Sequence, residues 1–107
     1  MLRVLFVCSR NRLRSPTAEQ TFATWHDVET DSAGLDNDAI VQLSPEQIDW
    51  ADIIFVMEGS HRSRLNKRFR RYLNGKRVIC LGIPDDYALM APDLIARLEA
   101  TAGKFLR

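Results

Sequence analysis

Long apolar runs are missing from this chain. The longest, Val4 to Cys8 and Ile53 to Met57, are strand-sized, well short of the roughly 20 residues a membrane-spanning helix needs. The amino terminus carries a short basic and apolar stretch, but it meets Cys8 and Arg10 too soon for a signal-peptide core, so a cytoplasmic protein is expected. Cysteine is scarce: Cys8 and Cys80 are the only two, too few for a disulfide scaffold, and Cys8, in a polar turn, points to thiol chemistry before pairing. No Cys-x-x-Cys or His-rich spacing occurs, so no metal and no cofactor are expected. An excess of one charge is also lacking. Fifteen Lys plus Arg face fourteen Asp plus Glu, a formal charge of +1, so no global basic field draws the chain to nucleic acid. What remains is 107 residues with 46% hydrophobic and 27% charged side chains, the composition of one compact globular domain spanning 1–107.

Periodicity organises the rest. Leu2 to Val7 is an apolar, β-branched run that ends abruptly at Cys8, as in a central strand buried on both faces. Ser15-Pro16 supplies an N-cap hydroxyl followed by Pro at the first helical position, and Ala18, Phe22 and Trp25 fall at helical spacing, predicting a first helix to about Trp25. Val28 to Ser32 alternates like an exposed edge strand, closed by Ala33-Gly34. Ser44-Pro45-Glu46-Gln47 has capping-box spacing and opens a short helix to about Trp50. Ile53 to Met57 is a second buried strand, and Val78 to Ile83 a third. Between them a strongly basic helix begins near Ser60 with an apolar stripe of Leu65, Phe69 and Leu73, and Asn74-Gly75 stops it. Leu94, Ile95, Leu98, Ala102 and Phe105 form a last amphipathic helix after Pro92. Strand and helix alternate without repeats or linkers, the pattern of a doubly wound α/β domain: a four-stranded parallel sheet with helices on both faces. Right-handed crossovers then bring all four strand ends to one edge, gathering Cys8, Ser32, Glu58 and Asp85-Asp86 around a crevice.

The segment from Val7 to Pro16 reads strand, short polar loop, helix start. Such a loop can turn its backbone N–H groups inward as a nest for an oxyanion, helped by the helix dipole. Cys8 opens the loop in the same positive field, which favours a thiolate at neutral pH. Arg14 can bring a planar fork of donors to two oxygens of a phosphoryl group, which lysine could not reproduce. Ser15 is placed both to cap the helix and to donate a hydrogen bond to the sulfur. Displacement at phosphorus by the thiolate would give a cysteinyl-phosphate, with the leaving oxygen protonated by Asp85 or Asp86.

Cys8-x5-Arg14-Ser15-Pro16, directly after the first strand, resembles the low-molecular-weight protein tyrosine phosphatases. Asn11 matches that family's loop Asn. Ser32-Ala33-Gly34 is similar to its Ser-Ala-Gly stretch, and Ala51-Asp52 followed by IIFVM resembles its third-strand entry. Asp85-Asp86-Tyr87 is similar to its Asp-Pro-Tyr, whose Asp is the general acid, which makes Asp85 the matching position. The resemblance runs end to end, in a chain shorter than most members. It implies a phosphotyrosine phosphatase with Cys8, Arg14 and Asp85 catalytic, and Ser9, Arg10, Asn11, Arg12, Leu13 and Ser15 binding the substrate. The chain departs from the pattern where Arg10 replaces Gly, Leu13 replaces a frequent second Cys and Asp86 replaces Pro. A side chain at position 10 bears on the shape of the loop, and loss of the second Cys removes the usual disulfide partner of Cys8.

Each residue also has a plainer reading. Cys80, inside VICLGI, is expected in the core. A cation at a helix N-terminus opposes the dipole, so Arg14 is evidence for an anionic ligand. Asp85 and Asp86, after Pro84, could be turn formers, and Arg10 and Arg12 either touch groups flanking the phosphate or are simply solvated. His61 is expected on the surface or as a cap rather than in catalysis. Trp25, Trp50, Phe22 and Phe69 fall at core spacing. The run Arg62, Arg64, Lys67, Arg68, Arg70, Arg71 is a solvated helix face or a surface for an acidic partner. Two rival functions remain open: a non-catalytic module that binds phosphate, phosphoprotein or nucleic acid, and, ranked lower for want of relay thiols, an arsenate reductase.

Overall fold

A computed structural model describes residues 1–107. Four strands, β1 (Leu2–Cys8), β2 (Val28–Gly34), β3 (Ile53–Val56) and β4 (Arg77–Cys80), alternate with four helices, α1 (Arg14–Phe22), α2 (Pro45–Trp50), α3 (Gly59–Phe69) and α4 (Pro92–Thr101). The sheet order is β2-β1-β3-β4 and every pairing is parallel. No helix is long and apolar enough to cross a membrane.

β1 lies between β2 and β3 and helices pack on both faces of the sheet, so Val4 to Val7 are wholly buried. Alternation then sends Val4, Phe6 and Cys8 to one face with Phe22 of α1 and Leu94 and Leu98 of α4. Leu5 and Val7 go to the other, with Ile48 of α2 and Leu65 and Phe69 of α3. On the first face Phe6 is stacked between Phe22 and Phe55, ring centroids 5.6 and 5.4 Å away.

Several boundaries differ from those the periodicity predicts. α1 begins at Arg14 and its N-cap is Leu13, without a side-chain cap bond. Ser15 is therefore not the cap, and Pro16 is third in the helix, still within the turn that has no intrahelical N–H partners. The helix ends at Phe22, three residues before Trp25, which leaves the helix but packs edge-on against Phe22 at 4.7 Å. β4 is shorter and less buried than a central strand: it is an edge, its residues at most half-buried. Cys80, at its end, is accordingly half-buried rather than in the core. Trp25 and Trp50 are likewise half-buried, whereas Phe22 and Phe69 are core. The capping box at Ser44 forms as its spacing predicts, with Ser44 Oγ accepting from Gln47 N–H and Gln47 Oε1 accepting from Ser44 N–H.

Candidate active site

At the carboxyl edge of the sheet, the loop between β1 and α1 walls a crevice of about 540 Å3 lined by Cys8, Ser9, Arg10, Arg12, Leu13, Arg14, Asp36 and Asp85. Of the residues singled out in the sequence, Cys8, Arg14 and Asp85 meet here, with Ser9, Arg10, Arg12 and Leu13 around them. Asn11 and Ser15 stand behind the wall, and Asp86 is not part of it.

Cys8 is 3% exposed, and its sulfur has two donors within reach. Asn11 N–H donates to Sγ at 3.2 Å, and Ser15 Oγ lies 2.9 Å from it. The direction of the second bond follows from the neighbours. Asn11 Nδ2 donates to Ser15 Oγ and to Ser32 Oγ, both at 2.9 Å, which leaves the Ser15 proton for the sulfur. Ser32 in turn donates to Glu19 Oε1, and Asn11 Oδ1 accepts from Val41 N–H. No buried side-chain polar atom of this network lacks a partner, and the Asn11 amide donated to Ser15 Oγ turns the Ser15 hydroxyl hydrogen toward Cys8 Sγ. Asn11 has φ +57°, a left-handed conformation that Asn tolerates better than most residues. Arg10 is not among the residues with positive φ, so a side chain fits where the motif it resembles has Gly. The backbone N–H groups of Ser9, Arg10, Arg12, Leu13 and Arg14 meet no protein acceptor.

Arg14 is 4% exposed and its Nη1 is held by Glu58 Oε2 at 2.6 Å and by the Ile83 carbonyl at 2.8 Å. Its Nε is 3.7 Å from Asp85 Oδ1. The anion that offsets a cation at this helix start is thus supplied by the protein itself, and the charge alone does not require a ligand. The Arg14 hydrogen bond holds the Glu58 carboxyl below the usual carboxylate range.

His61 is 1% exposed, a buried cap rather than a surface residue. Its Nδ1 accepts from Glu58 N–H at 3.1 Å and its Nε2 lies 3.0 Å from Ser9 Oγ. Burial, and next the Arg14 charge, push its pKa down to about 4, so at neutral pH the ring is uncharged, with its proton on Nε2 donating to Ser9. Position 61 thereby ties the loop to the end of β3. Asp36, which the sequence does not single out, receives Arg64 at 2.6 Å and Arg10 at 3.9 Å. Glu58 is placed at the crevice by the strand pattern, but its grip on Arg14 is not marked by any local motif. The two cysteines are unpaired.

The chain has the fold of the low-molecular-weight protein tyrosine phosphatases. It superposes on the low molecular weight protein tyrosine phosphatase SP-PTP from Streptococcus pyogenes with a TM-score of 0.79 at 16% identity, covering 99% of this chain and 91% of that one. A YwlE mutant from Bacillus subtilis gives 0.77 at 20% identity over 100% of both chains. YwlE arginine phosphatase from Geobacillus stearothermophilus gives 0.68 at 23% identity, covering 98% and 95%. No protein-family model matches the sequence, and no curated protein does.

Proposed function

We propose that the chain is a cysteine-dependent phosphatase acting on phosphomonoesters through a cysteinyl-phosphate. The observation that carries this is the hydrogen-bond chain ending on Cys8 Sγ, two donors aimed at one sulfur beside a buried guanidinium, an arrangement suited to an anionic nucleophile. In the first step the Cys8 thiolate attacks phosphorus, an S–P bond forms, the bond to the leaving oxygen breaks, and Asp85 gives that oxygen its proton. Asp85, now a carboxylate, then takes a proton from water as the water attacks phosphorus, releasing inorganic phosphate and the thiolate. The free loop amides and the Arg14 donors not taken by Glu58 and Ile83 stabilise the equatorial oxygens in both transition states. Glu58 positions Arg14.

Hydrolysis of para-nitrophenyl phosphate tests the reading. Wild type should turn it over, Cys8→Ser should not, and acid quench of wild type should trap phosphate on Cys8. Asp85→Asn should slow turnover roughly 10²- to 10⁴-fold, while Asp86→Asn, outside the crevice wall, stays near wild type. Turnover surviving in Cys8→Ser would sink the mechanism, and no turnover by wild type would leave the non-catalytic binding module.

Phosphotyrosine on a polypeptide is the substrate class that the motif resemblance supports. One observation favours a second reading, phosphoarginine: two carboxylates, Asp36 and Asp85, line the crevice and could face a guanidinium. Arg10 and Arg12 on the same wall oppose a cationic leaving group, so the ester ranks first. Matched peptides carrying one or the other phosphorylated residue decide between them by kcat/KM.

A further inference from the structure

Between Gly59 and Pro84 the chain carries eight Lys and Arg and no Asp or Glu, although the whole molecule is nearly neutral. Five of the eight have structural partners. Arg62 donates to the Val78 carbonyl, Arg64 binds Asp36, Arg68 donates to the Leu35 carbonyl, Lys76 donates to the Asp49 and Ala51 carbonyls, and Arg77 covers the Phe105 ring. Lys67, Arg70 and Arg71, at the end of α3 and in the 3-10 turn that follows it (Arg70–Tyr72), are exposed, and their side chains have neither an ion pair nor a hydrogen bond. They surround a surface hollow of about 860 Å3 together with Arg68 and the amides of Asn66 and Asn74. Three unpaired cations around one concavity repel each other in the free protein. They are not required by the fold, because α3 is anchored by Leu65 and Phe69 on its opposite side.

We propose that this hollow docks an acidic segment of the same polypeptide that presents its phosphorylated residue to the Cys8 crevice; the inference rests on the phosphatase reading above. Charge complementarity selects an anionic occupant, and the aromatic side chains select among anions. Single-stranded nucleic acid is held largely by stacking on aromatic rings, yet no Phe, Tyr or Trp of the molecule is exposed, and Tyr72, at the hollow, is half-buried and tilted against Phe69 at 6.4 Å. A row of carboxylates needs no such platform. The distance is also suitable. α3 starts at the crevice with Glu58 as its cap and runs away from it, so Arg70 lies roughly 18 Å of helix rise beyond Glu58. An extended peptide spans that distance in about six residues. The substrate should therefore carry its Asp and Glu about six residues or more from the phosphorylated side chain.

The experiment compares two phosphopeptides identical except for four Glu or four Gln placed six to nine residues from the phosphorylated residue. Wild type should show a kcat/KM roughly tenfold higher for the acidic peptide, mostly through KM, and the advantage should disappear in Lys67→Gln/Arg70→Gln/Arg71→Gln and in 0.5 M NaCl. Para-nitrophenyl phosphate turnover should be the same in both proteins. Fluorescence anisotropy of the acidic peptide without its phosphate reads the docking directly, with binding to wild type and at least a tenfold loss in the triple variant. That arm decides the matter even if no phosphatase activity is found, so the two readings fail separately. Equal binding of the acidic and neutral peptides would overturn the proposal. So would retention of acidic-peptide binding by the triple variant, or displacement of the peptide by a single-stranded oligonucleotide at lower concentration than by polyglutamate.

Discussion

Protonating His61 would put a second hydrogen on a ring whose Nδ1 already accepts from Glu58 N–H, so the bond must break as the ring charges. Its pKa in the folded protein is about 4 against an ordinary 6.5, which means that between these values the unfolded chain binds the proton and the folded chain resists it. Stability is therefore full above pH 6.5 and is lost as the pH falls toward 4, by up to about 3 kcal/mol. Glu58 acts in the same direction at lower pH. Its lowered pKa contributes stability that is present above the ordinary carboxylate value and lost as the pH falls through the folded one. Urea unfolding at intervals from pH 7 to pH 4 should show the decline, and His61→Gln, which can still accept from Glu58 and donate to Ser9, should flatten the part above pH 4. A wild-type profile that is level from pH 7 to 4.5 would contradict the neutral, buried ring. At this scale the sequence was partly legible. The loop residues could be named because their spacing after a strand is local, whereas the grip of Glu58 on Arg14, 44 residues away, and the contact of His61 with Ser9, 52 residues away, have no local signature.

The end of β2 passes close under the loop after β1. A Cβ on Gly34 would lie 2.6 Å from the Ser9 carbonyl oxygen, 2.9 Å from Asn11 N and 2.6 Å from Ala39 Cβ. Two of these are backbone atoms of the loop that frames Cys8, so neither can rotate away. Gly34→Ala should destabilise the protein by about 1–3 kcal/mol and, by moving Asn11 off the sulfur, lower para-nitrophenyl phosphate turnover at least tenfold. Stability can be read from the denaturant midpoint, and a Gly34→Ala protein with both wild-type stability and wild-type turnover would refute the account. The element pattern itself is legible because each strand and helix has its own period. The ends are less legible: the apolar run from Val78 to Ile83 has the pattern of a buried strand, but it belongs to the edge strand β4, and periodicity does not distinguish an edge from a centre.

At the scale of the molecule, the crevice exists because four parallel strands end together and two separate apolar layers hold them between helices. Phe55 belongs to the layer shared with α1 and α4, touching Phe6 and, at 5.9 Å, Phe105. Phe55→Ala should cost about 3–5 kcal/mol, measured by thermal or denaturant unfolding. The loop of Cys8 is built on the neighbouring strand, so activity should fall only as far as the folded fraction does. Loss of activity in a fully folded Phe55→Ala protein would mean that the core shapes the site more directly than these contacts indicate.

The order of strands and helices, the position of Cys8 at a strand end and the Cys-x5-Arg loop were determined by the sequence, since each depends on residues near one another in the chain, where side-chain periodicity and capping act. Which carboxylate neutralises Arg14, that His61 is buried and uncharged, that Ser15 serves the sulfur rather than the helix, and that Asp85 and not Asp86 faces the crevice were decided only by the tertiary structure. Those outcomes depend on distances between segments brought together by the crossovers, and on the desolvation their meeting imposes, and neither quantity is defined until the chain is folded.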